Sequence, residues 1–261
     1  MTFQTDIPDF LFHYTNIESL ESILKHKTIR FSSLLNVDDA EEMATSSNMN
    51  LGKYCFVSSW TDLEEESIPF WAEYTDNMGG VRIKLPTLPF VKHIITREYV
   101  NHGTPFETFY PEEFFSKDNL FPYLTMPFCR KVQYTNDNSK IITKDSLSYE
   151  KMENDHINNI SMNLMEVGKY KRLCWSFQSE WRYCMMLLPV DIETGQMSID
   201  VSTDTINIGF SHYDLPIDEK ALEKLEITLG PRIGKNSSKV FEIIRNYCPS
   251  AIIKNSQLKI R

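Results

Sequence analysis

Apolar and polar positions alternate most regularly at Val81 to Leu85. Val81, Ile83 and Leu85 face one way and Arg82 and Lys84 the other, which is the period of a half-buried strand. Just upstream, Trp71 and Tyr74 are three residues apart and so share one face of a short helix. Asp76-Asn77 and Gly79-Gly80 stop that helix, with glycine free to take the positive φ of a C-terminal cap. From this segment alone the aromatic pair reads as core packing, and the same pattern also suits the wall of a pocket.

The pattern continues on both sides. Phe10 to Tyr14 is a short aromatic strand, with Thr15 or Asn16 as cap of a helix whose apolar stripe is Ile17, Leu20, Ile23 and Leu24. Thr28 to Ser33 alternates as a second strand, and Asn36 to Met43 is an acidic loop or helix start with Asp38 or Asp39 as cap. Tyr54 to Trp60 is a buried strand and Thr61 to Ser67 an exposed acidic connector. Leu88 to Thr96 is another apolar run, Tyr99 to Phe128 is aromatic and proline-rich without a period, and Val132 to Tyr134 begins a strand. The longest helical signal is Asp145 to Leu173, on a partial stripe of Ile157, Ile160, Leu164 and Val167, closed by an aromatic turn at Cys174 to Phe177. Glu180 to Leu188 is strand-like. Further strands are expected at Met197 to Val201, Thr205 to Phe210 and Ile227 to Leu229, then a helix over Ser237 to Tyr247, with Ala251 to Ile253 and Leu258 to Ile260 as a closing strand or pair of strands. With no repeat, low-complexity tract or linker, one α+β domain over residues 1–261 is the economical expectation.

Composition changes this picture little. At 261 residues the chain can bury a sizeable core, and 41% hydrophobic with 24% charged residues is ordinary for a soluble protein. The 36 acids against 27 bases, net −9, argue against a broad nucleic-acid or membrane-binding surface. The N-terminus lacks the basic and apolar regions of a signal peptide, and no window approaches the ~18 apolar residues of a membrane span. The five cysteines (Cys55, Cys129, Cys174, Cys184, Cys248) form no CxxC pair and are expected as buried free thiols in a reducing cytoplasm.

Candidate chemistry sits at strand ends, where a scaffold presents functional groups. His13 and Tyr14 end the first strand, Ser58 and Ser59 lie near the end of the one at Tyr54, and Glu180 begins the strand after the long helix. Each has a structural alternative: an interior histidine beside a cap, turn serines, and an ion pair from Glu180 to Arg172 or Arg182. GxSxG, P-loop, GxGxxG and HExxH signatures are absent, and the histidines form no metal-ligand cluster, so no metal site is expected.

The ordered series HYT (13–15), SLESIL, FSSLLNVDDAEE, CFVSSW, PFWAEYTDNMGGVRI, SEWRY (179–183), ITLGPRI and SAIIKNSQLKIR resembles the DUF2971 family of bacterial proteins, from about residue 10 to the C-terminus. Residues 99–172 carry little of it and are expected as a variable, mainly helical and loop insertion. That family's pattern is similar in turn to the ADP-ribosyltransferase superfamily, whose His-Tyr-Glu class sets a histidine on its first core strand, aromatics around nicotinamide and a glutamate on a later strand.

The resemblance implies a mostly antiparallel, split central sheet with flanking helices, and NAD as a consumed substrate. It assigns His13 and Glu180 as catalytic and His13, Tyr14, Thr15, Ser58, Ser59, Trp71 and Tyr74 as NAD-binding. It moves Tyr74 toward the pocket and leaves Trp71 as the core anchor. The family's Asn-Asp-x-x-Glu has aspartate in place of asparagine here, at Asp38-Asp39-Ala40-Glu41-Glu42.

In physical terms, cleaving the nicotinamide–ribose bond develops positive charge on the sugar, which a fixed carboxylate such as Glu180 stabilises. A neutral imidazole or hydroxyl holds the other ribose, and an aromatic face stacks on nicotinamide. The implied protein is an NAD-consuming ADP-ribosyltransferase-like enzyme acting on a protein or nucleic-acid target, in a toxin or phage-defence setting. The alternatives are an inactive nucleotide- or partner-binding module of the same fold, or a metal-dependent nuclease using Asp38 to Glu42.

Overall fold

A computed structural model describes residues 7–43, 51–96, 104–116, 120–122, 124, 126–142, 148–151, 157–161, 165–189 and 211–260. The first half builds the frame. Strand β1 (Phe10–Thr15) leads into helix α1 (Ile17–His26), whose first turn is capped by Asn16, with Oδ1 accepting from the Ser19 N–H at 2.8 Å. Lys27 ends α1 in a left-handed conformation, φ 51°, and strand β2 (Thr28–Ser33) follows. Strand β3 (Cys55–Thr61), helix α2 (Ile68–Tyr74) and strand β4 (Val81–Pro86) complete this part.

The main sheet runs in the order His212–Pro216, β2, β3, β1, β4, Glu226–Leu229, Ile252–Asn255, and the long strand Glu180–Pro189 adds to the other edge of β3. All its pairings are antiparallel except Glu226–Leu229 with Ile252–Asn255.

One edge of β3 carries two strands. β2 meets it at Val57 and Phe56, β1 only at Thr61, and between those contacts β1 and β2 part over Ser58–Trp60. The sheet is therefore split at the middle of β3.

Side-chain alternation divides the sheet into two unlike faces. Leu11, Phe31, Phe56, Trp60, Ile83, Trp181, Tyr183 and Ile227 pack on one face with Leu20 and Leu24 of α1 and with Val240, Ile243 and Ile244 of the helix Ser237–Tyr247. Each such burial contributes roughly 1.5–3 kcal/mol. The opposite face carries two smaller apolar clusters, Leu34, Val57, Cys184 and Met186 in one and Tyr14, Phe70, Trp71 and Met78 in the other. Ser59, Glu180 and Arg182 belong to this second face, because Arg182 lies opposite Ser59 and Glu180 opposite Thr61.

Several expectations change. Residues 148–151 and 157–161, inside the stretch expected as the longest helix, pair as antiparallel strands. The β-branched Ile157 and Ile160 suit a strand, Asn158-Asn159 are poor helix formers, and the apolar stripe is incomplete. The end of α2 also departs from its sequence signal. Asp76, Asn77 and Met78 take the positive φ values (48°, 55° and 71°), not the glycines. Gly80 serves close approach instead, since a Cβ there would lie 2.3 Å from the Thr15 carbonyl oxygen of β1. Cys174 is exposed rather than buried. Ile252–Asn255 forms the closing strand and Leu258 to Ile260 forms none. The strands expected at Met197 to Val201 and Thr205 to Phe210 lie outside the described residues. Among the described residues no helix is long and apolar enough to cross a membrane.

Candidate functional site

The split opens into a cleft of about 380 Å³, within the roughly 300–1,000 Å³ usual for small-molecule sites. Its lining includes His13, Tyr14 and Thr15 of β1, Ser58 and Ser59 of β3, Tyr74 of α2 and Glu180. Trp71 does not reach it. Fully buried beside Tyr14 and Phe70, its Nε1–H donates to Glu66 at 2.9 Å, so Trp71 is a core anchor and not a contact surface.

His13 stands where β1 leaves β3. Its Nδ1 lies 2.9 Å from the Ser59 carbonyl oxygen, and because a carbonyl only accepts, Nδ1 carries the proton. Nε2 is then an acceptor. Burial outweighs that hydrogen bond and lowers the imidazole pKa, which keeps the ring neutral at pH 7. The ring also packs on Trp60, 5.1 Å between centroids.

Tyr74 is half-buried beside Phe70, and its hydroxyl oxygen accepts from Gln178 Nε2 at 2.7 Å. Burial, with the charges of Glu73, Asp38 and Glu180, raises its pKa, so it stays a neutral phenol in a negative field. Ser58 is buried and accepts from Trp60 Nε1 at 3.0 Å, which fits a structural role. The Tyr14 hydroxyl accepts from the Ser67 N–H at 3.1 Å and so fixes the start of α2.

Glu180 lies in a closed group of four charges. Arg182 donates to it from Nε at 2.5 Å and Nη2 at 3.1 Å, and Lys171 donates at 3.1 Å. The same two cations hold Glu42: Arg182 through both Nη atoms, with Nη2 at 2.9 Å, and Lys171 at 3.2 Å. Gly168 takes the fifth Arg182 donor at 3.0 Å, and Lys171 also donates to Gln178 Oε1 at 2.9 Å. All five N–H donors of Arg182 are thereby matched, Lys171 is hydrogen-bonded to Gln178 and Glu180 and paired with Glu42, and all four charged side chains are at most 5% exposed. Burial works against ionisation of Glu180, but Arg182, Lys171 and the Ser59 hydroxyl overcome it and hold the carboxyl down at about 2. Ser59 therefore accepts from His13 through its carbonyl, and its hydroxyl contributes to holding the Glu180 carboxyl down.

Sequence reasoning named the Glu180–Arg182 pair as an alternative but missed Lys171, Gln178 and Glu42. Arg172, its other candidate partner for Glu180, instead grips Glu41 with both ends of its guanidinium, at 2.7 and 2.8 Å. The signal for Glu42 was the acidic Asp38-to-Glu42 run, whose last residue proves to be the counter-charge of SEWR. Asp39 caps its own turn by accepting from the Glu41 N–H at 3.1 Å. With Glu41 and Glu42 paired in this way, the run does not present a free carboxylate cluster, and among the described residues no three His, Cys, Asp or Glu side chains converge.

A family model matches residues 70–183. It is that of DUF2971. The family is described as proteins of unknown function, and no curated protein and no solved structure matches the chain. The DUF2971 match begins at Phe70 of α2 and ends at Tyr183, so it takes in Tyr74, Lys171, Gln178, Glu180 and Arg182. His13, Glu42, Ser58 and Ser59 precede it.

Proposed function

We propose that the cleft binds NAD and that the protein is an ADP-ribosyltransferase-like enzyme acting on a macromolecular acceptor. The observation that carries this is the split at β3, which sets His13, Tyr74 and Glu180 on one cleft with Ser59 between the histidine and the acid. Nε2 of a neutral imidazole suits a ribose hydroxyl donor. The Tyr74 ring, in the field of Glu73, Asp38 and Glu180, suits the cationic nicotinamide ring of NAD. An ionised Glu180 supplies the negative charge that an oxocarbenium-like sugar requires. On cleavage the nicotinamide leaves with the bonding electron pair and the acceptor takes the sugar carbon.

A second reading has its own observation. Glu180 accepts from Arg182 and Lys171 on both oxygens, which fits a module that binds the nucleotide without turning it over.

Incubation of the purified protein with labelled NAD and candidate acceptors, alongside calorimetry with NAD and ADP-ribose, separates the two. Nicotinamide release or labelling supports the enzyme, and binding without release supports the module. Absence of both defeats both readings. Glu180→Gln is expected to abolish turnover while ADP-ribose binding persists.

A further inference from the structure

The cleft holds three basic side chains among its described lining residues, Arg30, Lys171 and Arg182. Lys171 and Arg182 are buried and committed to Glu42, Glu180, Gln178 and the Gly168 carbonyl. Arg30 differs. It projects from β2 directly opposite Asp214 in the neighbouring strand His212–Pro216, more than half exposed, and both residues line the cleft. Asp214 takes Nε at 3.0 Å and one Nη2 hydrogen at 3.1 Å. A guanidinium has five N–H donors. Asp214 therefore fixes the plane of the Arg30 fork while three donors stay available, and burial of this cation is slight enough that its charge is fully retained.

We infer that Arg30 is the phosphate-recognition residue of the cleft, held in orientation by Asp214, and that the ligand it selects is a nucleoside diphosphate ester. This rests on the proposed NAD reading and names which side chain meets the diphosphate. Hydroxyls of Ser19, Ser22, Thr28 and Ser32 line the same cleft and suit the sugar that flanks the phosphates. A guanidinium matches the paired oxygens of a phosphate, which a single ammonium does not.

Calorimetry of ADP-ribose against adenosine, which lacks phosphate, tests this with three variants. Wild type is expected to bind ADP-ribose more tightly than adenosine. Arg30→Gln should weaken ADP-ribose roughly ten- to a hundredfold, the scale of one charged hydrogen-bonded contact, and leave adenosine unchanged. Arg30→Lys should fall between. Asp214→Asn keeps an oxygen that accepts from Nε, and so the orientation of the fork, but removes the negative charge that opposes the phosphates, and should strengthen ADP-ribose binding.

The opposite signs distinguish recognition from structure. Equal weakening by Arg30→Gln and Asp214→Asn, or loss of adenosine and ADP-ribose together in Arg30→Gln, shows a strand-pairing role and overturns the inference. Unchanged affinity in both variants overturns it as well while leaving the NAD reading intact. Failure of the wild type to bind ADP-ribose overturns the NAD reading itself.

Discussion

The cleft contains two arginine–carboxylate pairs of the same chemistry in opposite surroundings. Arg182 with Glu180 is at most 5% exposed, whereas Arg30 with Asp214 is 54% and 35% exposed. Burial decides what each pair does. Around Arg182 no water is at hand, so unmatched charge is costly, and the fold supplies Glu42, Lys171, Gln178 and the Gly168 carbonyl until every donor is met. Around Arg30 water serves the spare donors and a ligand can replace it. One end of the cleft is thus a fixed electrostatic floor, and the other is an adjustable contact.

The sharpest way to break that contrast is Arg182→Gln. It leaves Glu42 and Glu180 buried against Lys171 alone and is expected to destabilise the fold by about 3–5 kcal/mol in urea unfolding. A loss below about 1 kcal/mol would show that the group is wetter than its burial indicates.

Acid probes the same end without mutation. Glu180 ionises at about 2 in the fold against an ordinary 4.5, so its contribution is complete above about pH 4.5 and disappears as pH falls toward 2. The loss is on the order of 3 kcal/mol. The lowered His13 acts in the same direction, because the unfolded chain takes up a proton below about pH 6.5 before the folded one does. Unfolding measured from pH 7 to 3 should therefore show stability falling steadily, and a flat profile contradicts the assignment.

Tyr74→Phe removes the acceptor of Gln178 and is expected to cost about 1 kcal/mol. Unchanged stability would mean that water replaces the phenol. The smallest effect is expected at the open end, where Arg30→Gln should shift stability by less than about 1 kcal/mol. A shift as large as that of Arg182→Gln would abolish the distinction between the two ends.

Much of the frame was legible. β1, α1, β2, β3, β4, the strand at Glu180 and the helix at Ser237 all follow from alternation or an amphipathic stripe, because each buries one face and exposes the other. The reading failed where that contrast was weak. The paired strands 148–151 and 157–161 lie in a stretch without a clean period, so pairing rather than periodicity decided them. Gly79-Gly80 marks a turn in the sequence, but the positive φ values fall on Asp76, Asn77 and Met78. Contact of Gly80 with the Thr15 carbonyl is a long-range constraint, which local propensity does not encode. For the site, residue types at strand ends pointed to His13, Ser59 and Glu180, while Lys171, Gln178 and Glu42 were not found. Their roles come from facing one another across 138 positions of chain, from Glu42 to Glu180.

The sequence by itself determined the elements, the aromatic face of α2 and the placing of polar groups at strand ends, since these depend on neighbours within a few residues. Tertiary structure decided the split of β1 from β2 over Ser58–Trp60, the burial of Trp71 against the cleft position of Tyr74, and the difference between Arg182 and Arg30. Those depend on which strands pair and on how much water remains beside each charge. Both guanidiniums are chemically identical, and only the burial around them sets one as a fixed floor and the other as an open contact.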